Sequence, residues 1–157
     1  MAATLRALSD QVEPPFSLSS IIRSVFPTVI VTGRDLPAGV EEVAALTCDG
    51  PLIIYRRDLP LGARRFAIAH ALAHLLYDAD TKGVQPGRPF SVRREIRADV
   101  FALELLAPHV SMIRHVLIWP SAGEPSNADQ SVRIAASFGV PPVEIDKRIR
   151  ALAMHAK

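Results

Sequence analysis

Residues 64–77 read RRFAIAHALAHLLY. The run is apolar almost throughout, holds neither Gly nor Pro, and places His70 and His74 four positions apart. An α-helix turns about 100° per residue, so side chains at i and i+4 stand one above the other on one face. Two imidazoles so placed aim their nitrogens at one point off the helix surface, which supplies half of a tetrahedral zinc site.

The hydrolytic version of this spacing is H-E-x-x-H, whose glutamate acts as general base. Here the frame is H-A-L-A-H, and Ala71 stands where the base would be. An isolated H-x-x-x-H is a weak signal, because two histidines on an apolar helix are equally well satisfied by backbone carbonyls. A second helix shifts the balance. Ser91 can cap SVRREIRADVFALELLA, which Pro108 ends, and Glu95 and Asp99 again lie four apart. A carboxylate from a second helix is the usual third ligand beside two histidines, with the fourth position left to water. Asp99, one turn on, is spaced to accept the far N–H of a ligand histidine and fix its tautomer. The competing reading makes Glu95 and Asp99 surface charges beside Arg94 and Arg97; their coincidence with two histidines at ligand spacing favours the metal.

Outward from this pair, residues 3–11 suit a short helix ended by Glu13-Pro14-Pro15. SLSSIIRSVF offers Ser17 or Ser19 as N-cap and apolar residues at helical spacing before Pro27. Strands are expected over 28–32, 43–48 and 52–56, the last (LIIYR) the clearest, with Asp49-Gly50-Pro51 as a turn. They suggest a small, mostly antiparallel sheet leading through Pro60–Gly62 into the histidine helix. In helix 91–107, Val92, Ile96, Val100, Phe101, Leu103, Leu105 and Leu106 give a broad apolar face expected to be buried. A Gly- and Pro-rich loop follows Tyr77. Further helices are expected over 110–119, 128–138 (capped by Ser126 or Asn127) and 143–154, with Gly139-Val140-Pro141-Pro142 turning the chain. The expected class is α+β, a small sheet packed on a helical core with further helices at the C-terminal end; the H-x-x-x-H and E-x-x-x-D pair resembles that of the zincins, which implies a zincin-like core. The 157 residues suit a single domain, 1–15 forming an N-terminal segment and 126–157 a C-terminal helix pair.

Apolar residues make up 49% and charged ones 22%, which excludes a disordered chain. Net charge is +2. Arginine clusters at 56–57, 64–65 and 93–97 read mainly as solvated helix faces. The single cysteine, Cys48, forbids an internal disulfide and is expected as a small buried hydrophobe in a reducing cytoplasm. No leader or membrane-length apolar run is apparent.

The run RRFAIAHALAHLLY followed by EIRADVFALELLAP resembles the ImmA/IrrE-type metallopeptidases, whose members carry rF-x-x-A-H-E-x-x-H and then E-x-x-A-[ND]-x-F-A-x-x-L-L-x-P. LIIYR is similar to the family's strand, and SVRIAASFGVPPVEIDKRIRAL to its C-terminal helix pair, so the resemblance covers residues 16–155. It implies one Zn2+ ion on His70, His74 and Glu95, with Asp99 as outer partner. It also implies a regulator that cleaves or otherwise inactivates a DNA-binding repressor, often of helix-turn-helix type. The departure is Ala71. General acid–base catalysis is worth about 10²–10⁴-fold, so a chain without that base is expected to be nearly dead as a peptidase while still binding zinc. An engineered Glu→Ala change and a natural pseudoenzyme both fit; survival of every other motif position favours the first.

Other residues carry weaker signals. Tyr77 and His109 are candidates for substrate or oxyanion contact, His115 less so, and packing is the simpler role for each; Trp119 and Phe138 read as core or interface aromatics. A metal-stabilised protein-binding module that sequesters a repressor or antitoxin is the non-enzymatic alternative. A third reading takes residues 134–152 as a DNA-binding helix-turn-helix carrying Lys147, Arg148 and Arg150. The absence of Asn or Gln from its second helix argues against direct nucleic-acid binding.

Overall fold

A computed structural model of the chain describes residues 1–9, 13–78, 91–118 and 127–155. Its elements run α1 (Ala2–Leu8), α2 (Leu18–Val25), β1 (Ile30–Arg34), β2 (Glu42–Thr47), β3 (Gly50–Arg56), α3 (Leu61–Asp78), α4 (Val92–Leu106), α5 (His109–Ile118), α6 (Asn127–Phe138) and α7 (Pro142–His155). The class is α+β, as expected. Of the loop expected after Tyr77, Asp78 instead ends α3, and residues 79–90 lie outside the described residues, as do the Ser126 cap, Trp119 and the side chain of His115.

The sheet order is β1-β3-β2. β2 and β3 form the expected antiparallel hairpin, in register from Glu42↔Tyr55 to Thr47↔Gly50. β1 instead runs parallel to β3, Ile30 opposite Leu52 and Arg34 opposite Arg56. The sheet is therefore mixed rather than mostly antiparallel, because the chain returns across 35–41 before the hairpin begins. Cys48 falls in the hairpin turn just past β2 and is exposed, not buried.

Helix α3 is covered on two sides, by the sheet and by α4, which explains a helix apolar nearly all round. Ala67, Ala69, Ala71 and Ala73 are all buried, and their small side chains let the neighbouring layers approach closely. Ile53 from β3 and Leu72, Ala102 and Leu105 from the helix pair are fully buried in one core cluster.

On α4 only part of the expected face is buried. Ala98, Phe101, Ala102, Leu105 and Leu106 face inward, whereas Val92, Ile96 and Val100 are 75%, 56% and 48% exposed. Those three repeat at i, i+4 and i+8, and Ile96 stands two residues, about 200° of turn, from Ala98. They form a second stripe on the far side.

Three polar ties hold the flanking helices. Ser17 caps α2, its Oγ accepting from the Ser20 N–H at 3.3 Å. The Arg6 guanidinium donates to the carbonyls of Glu104 and Leu105 at the end of α4 and lies over the Phe16 ring. Arg65, far from being a solvated charge, donates to Gly139 O at 2.9 Å and Phe16 O at 2.6 Å. Burial lowers the pKa of both arginines.

Gly139 has φ +62° and closes α6: its N–H donates to Ala136 O and the Val140 N–H to Ala135 O, the paired bonds of a Schellman motif. That turn seats α7 against the fold, with Phe138 and Ile145 fully buried. No helix among the described residues is long and apolar enough to cross a membrane.

Candidate metal centre

His70 and His74 are both buried, on the stretch of α3 that faces α4. Their rings lie 4.8 Å apart between centroids and 79° from parallel. Each ring is held from behind by a carboxylate. His70 Nδ1 is 2.8 Å from Glu42 Oε1, at the start of β2, and His74 Nδ1 is 2.9 Å from Asp78 Oδ2, one turn further along α3. An ionised carboxylate only accepts, so each Nδ1 carries the hydrogen. The lone pair of the neutral ring is then on Nε2.

Both Nε2 atoms face α4. His70 Nε2 lies 3.4 Å from Glu95 Oε2, and His74 Nε2 lies 3.7 Å from Glu95 Oε1. These gaps exceed the usual N–H···O range of about 2.7–3.2 Å. They suit two ligands of one ion, each about 2.0–2.2 Å from it. One atom from each of His70, His74 and Glu95 falls within 4.8 Å of the others. Two oriented imidazoles and a half-exposed carboxylate are a donor set that fits a divalent cation, zinc among several.

Asp99 does not sit behind a ring, the position expected of an outer partner. Its Oδ1 is 3.4 Å from His70 Nε2, on the same side as Glu95. The backing roles belong to Glu42 and Asp78. Asp78 also settles the arginines of α4: its Oδ1 accepts from Arg97 Nη2 at 2.5 Å, with Arg94 Nε 3.4 Å away. The competing reading, with Glu95 and Asp99 as surface charges paired to Arg94 and Arg97, is not what the fold shows: both arginines reach across to α3.

Charge around the centre follows from this arrangement. Burial disfavours the protonated His70 ring, but the bond to Glu42 and the nearby carboxylates of Glu42, Asp99 and Glu95 outweigh it and raise the pKa. On α7 the bond to Glu144 raises the Lys147 pKa against some burial, and the charge of Asp99 adds to the effect.

Ala71 is fully buried in the core cluster and offers no proton acceptor. Tyr77 packs edge-on against Phe101 at 5.7 Å, with Arg97 above its ring, a packing role. His109 opens α5, half-buried, and among the described residues no hydrogen bond or ion pair joins it to the centre.

Two residues that complete the centre escape sequence reading. Asp78 had a signal, four positions after His74, but lay one residue past the expected helix end. Glu42 had none, since only the folded sheet brings it to His70.

The family model described as Peptidase_M78, IrrE N-terminal-like domain, matches residues 29–150. The match takes in β1 through most of α7, and so Glu42, both histidines, Asp78, Glu95 and Asp99. No curated protein matches the chain.

Proposed function

The chain belongs to the IrrE N-terminal-like family of metallopeptidase-like proteins, and from that premise we propose that it is a metal-binding regulator that engages a DNA-binding repressor. As its sequence stands, it does so without efficient cleavage. The observation that carries the reading is the convergence of His70, His74 and Glu95 within 4.8 Å, with both imidazoles oriented from behind.

His70, His74 and Glu95 would hold one divalent ion, zinc by family. When bound, such an ion polarises a peptide carbonyl and lowers the pKa of water. The rest is the work of this chain. Glu42 and Asp78 keep the two Nε2 lone pairs turned inward. β2 is an edge of the sheet, and Glu42 at its start joins it to the centre. An extended peptide can add to such an edge through main-chain bonds. What is missing is a side chain at position 71 to take a proton from water and return it to the leaving amine. That loss is worth about 10²–10⁴-fold in rate, and it is what supports a binder over a working peptidase. The nature of the partner rests on the resemblance of the motifs.

Ala71→Glu tests the reading. Elemental analysis of the purified chain and of His70→Ala comes first, with bound metal expected only in the former. A panel of helix-turn-helix repressors is then co-expressed with the chain and with Ala71→Glu. Stable capture by the chain and cleavage by Ala71→Glu are expected. Capture by both without cleavage would leave the sequestering module as the function. Failure of both proteins to capture any repressor would overturn the partner class.

A further inference from the structure

Val92, Ile96 and Val100 are exposed on α4, three β-branched apolar side chains at i, i+4 and i+8. A helix turning about 100° per residue aligns them in one stripe about 12 Å long. Counted from Ile96, Arg93 and Arg97 lie about 60° and 100° round one flank, and Asp99 and Glu95 the same angles round the other. The stripe therefore runs between a basic edge and the two carboxylates that approach His70.

The basic edge has charge to offer. Arg93 is exposed, and among the described residues no carboxylate pairs with it. Arg97 bonds Asp78 yet keeps its side chain 46% exposed. Beside Arg97 the stripe opens into a cavity of about 330 Å³ bordered by Met1, Tyr77, Val100 and Phe101, with room for a large apolar anchor.

We propose that this face of α4 is a docking surface for an amphipathic helix of the partner protein, apolar at i, i+4 and i+8 and with carboxylates along one flank. The proposal deepens the partner-binding reading above and rests on it, but not on the metal. Helix packs on helix by ridges set into grooves, and a partner helix held through anchors at i and i+4 is a recurrent mode of recognition. Charge decides which helix fits. Its carboxylates meet Arg93 and Arg97, whereas the basic surface with which a repressor meets DNA is repelled there. The docked helix therefore belongs to another part of the partner. A second copy of this chain fits poorly: two stripes paired antiparallel about a two-fold axis set arginine against arginine and carboxylate against carboxylate.

The test uses the full chain and two synthetic peptides of about 20 residues, long enough for a helix to form alone. Both carry leucine at i, i+4 and i+8; one has glutamate and the other lysine along the same flank. Fluorescence anisotropy is expected to show the glutamate peptide bound, with or without a chelator, and the lysine peptide weaker by about tenfold or more. Ile96→Asp, at an exposed position where circular dichroism should stay unchanged, is expected to abolish binding, and Arg93→Glu to narrow the gap between the peptides. No binding of either peptide, equal binding of both, or binding that survives Ile96→Asp would overturn the proposal. So would a dimer in sedimentation that Ile96→Asp dissolves, which would give the stripe to a second copy. Repressor capture keeps the two readings apart. A captured repressor that Ile96→Asp fails to release removes this surface alone; peptide binding without capture of any repressor keeps the surface and removes the partner class.

Discussion

Asp78 Oδ2 lies 2.9 Å from His74 Nδ1, while its other oxygen accepts from Arg97 on the neighbouring helix. The carboxylate is 4% exposed, and an ionised group so buried persists only when paired. Its cationic partners, Arg94 and Arg97, bracket Glu95 in the sequence of α4. One side chain therefore orients a ligand histidine and helps dock the helix that brings the third ligand.

Asp78→Asn should consequently lower zinc affinity by about 10–100-fold, the usual effect of removing a partner of a ligand histidine. It should also cost about 1–3 kcal/mol of stability through weakened charge-assisted bonds. Chelator competition reads the first effect, and urea unfolding of the metal-free variant reads the second. Lost stability with zinc affinity unchanged would reduce Asp78 to a helix clamp.

His70 carries a pH dependence whose sign follows from its raised pKa. For a histidine held above its unfolded value of about 6.5, the stabilising contribution is complete below that value. It fades as pH rises through the folded pKa. The chelated protein should therefore lose some stability as pH rises above about 6.5, and Glu42→Gln should flatten that slope. Zinc has to displace the same proton, so its affinity should rise over the same interval. Urea midpoints and zinc titrations at a series of pH values check both, and a chelated protein with no slope there would sink the assignment.

What could be read from the sequence was local. The i, i+4 spacing of His70 with His74, and the placement of Glu95 on a return helix, are properties of short stretches, and the folded chain brings those three residues together. Likewise, Gly139 followed by Val140 and two prolines announces a helix end, and the chain turns there with positive φ. Asp99 stood at the expected spacing but on the opposite side of the ring, because spacing fixes a helix face and not which nitrogen a carboxylate meets.

The non-local features were not legible. Glu42 joins His70 only once β2 has paired with β3. The parallel pairing of β1 with β3 depends on which edge of the hairpin is open, and no short motif records that. Counting apolar residues on α4 overestimated its buried face, since Val92, Ile96 and Val100 satisfy helical periodicity as well as the true core stripe does.

The C-terminal helix pair offers the last separation of readings. Were α7 a DNA-recognition helix, Lys147, Arg148 and Arg150 would have to reach phosphate or base edges. Instead the Arg148 guanidinium pairs with Glu104 of α4, its side chain only 13% exposed, and Lys147 bonds Glu144 within its own helix. Arg148→Ala should therefore act on the fold, costing about 1–3 kcal/mol as a charged, half-covered bond is lost. Its effect should appear as a lower urea midpoint. Lys147→Gln combined with Arg150→Gln should keep the fold, and any affinity for duplex DNA should stay the same across a salt series. A nucleic-acid reader would behave otherwise: removing phosphate contacts would weaken binding at every sequence and make the logarithmic salt slope shallower by about 1 per contact. That result would return α7 to the list of binding surfaces and call for a second function beside the metal centre.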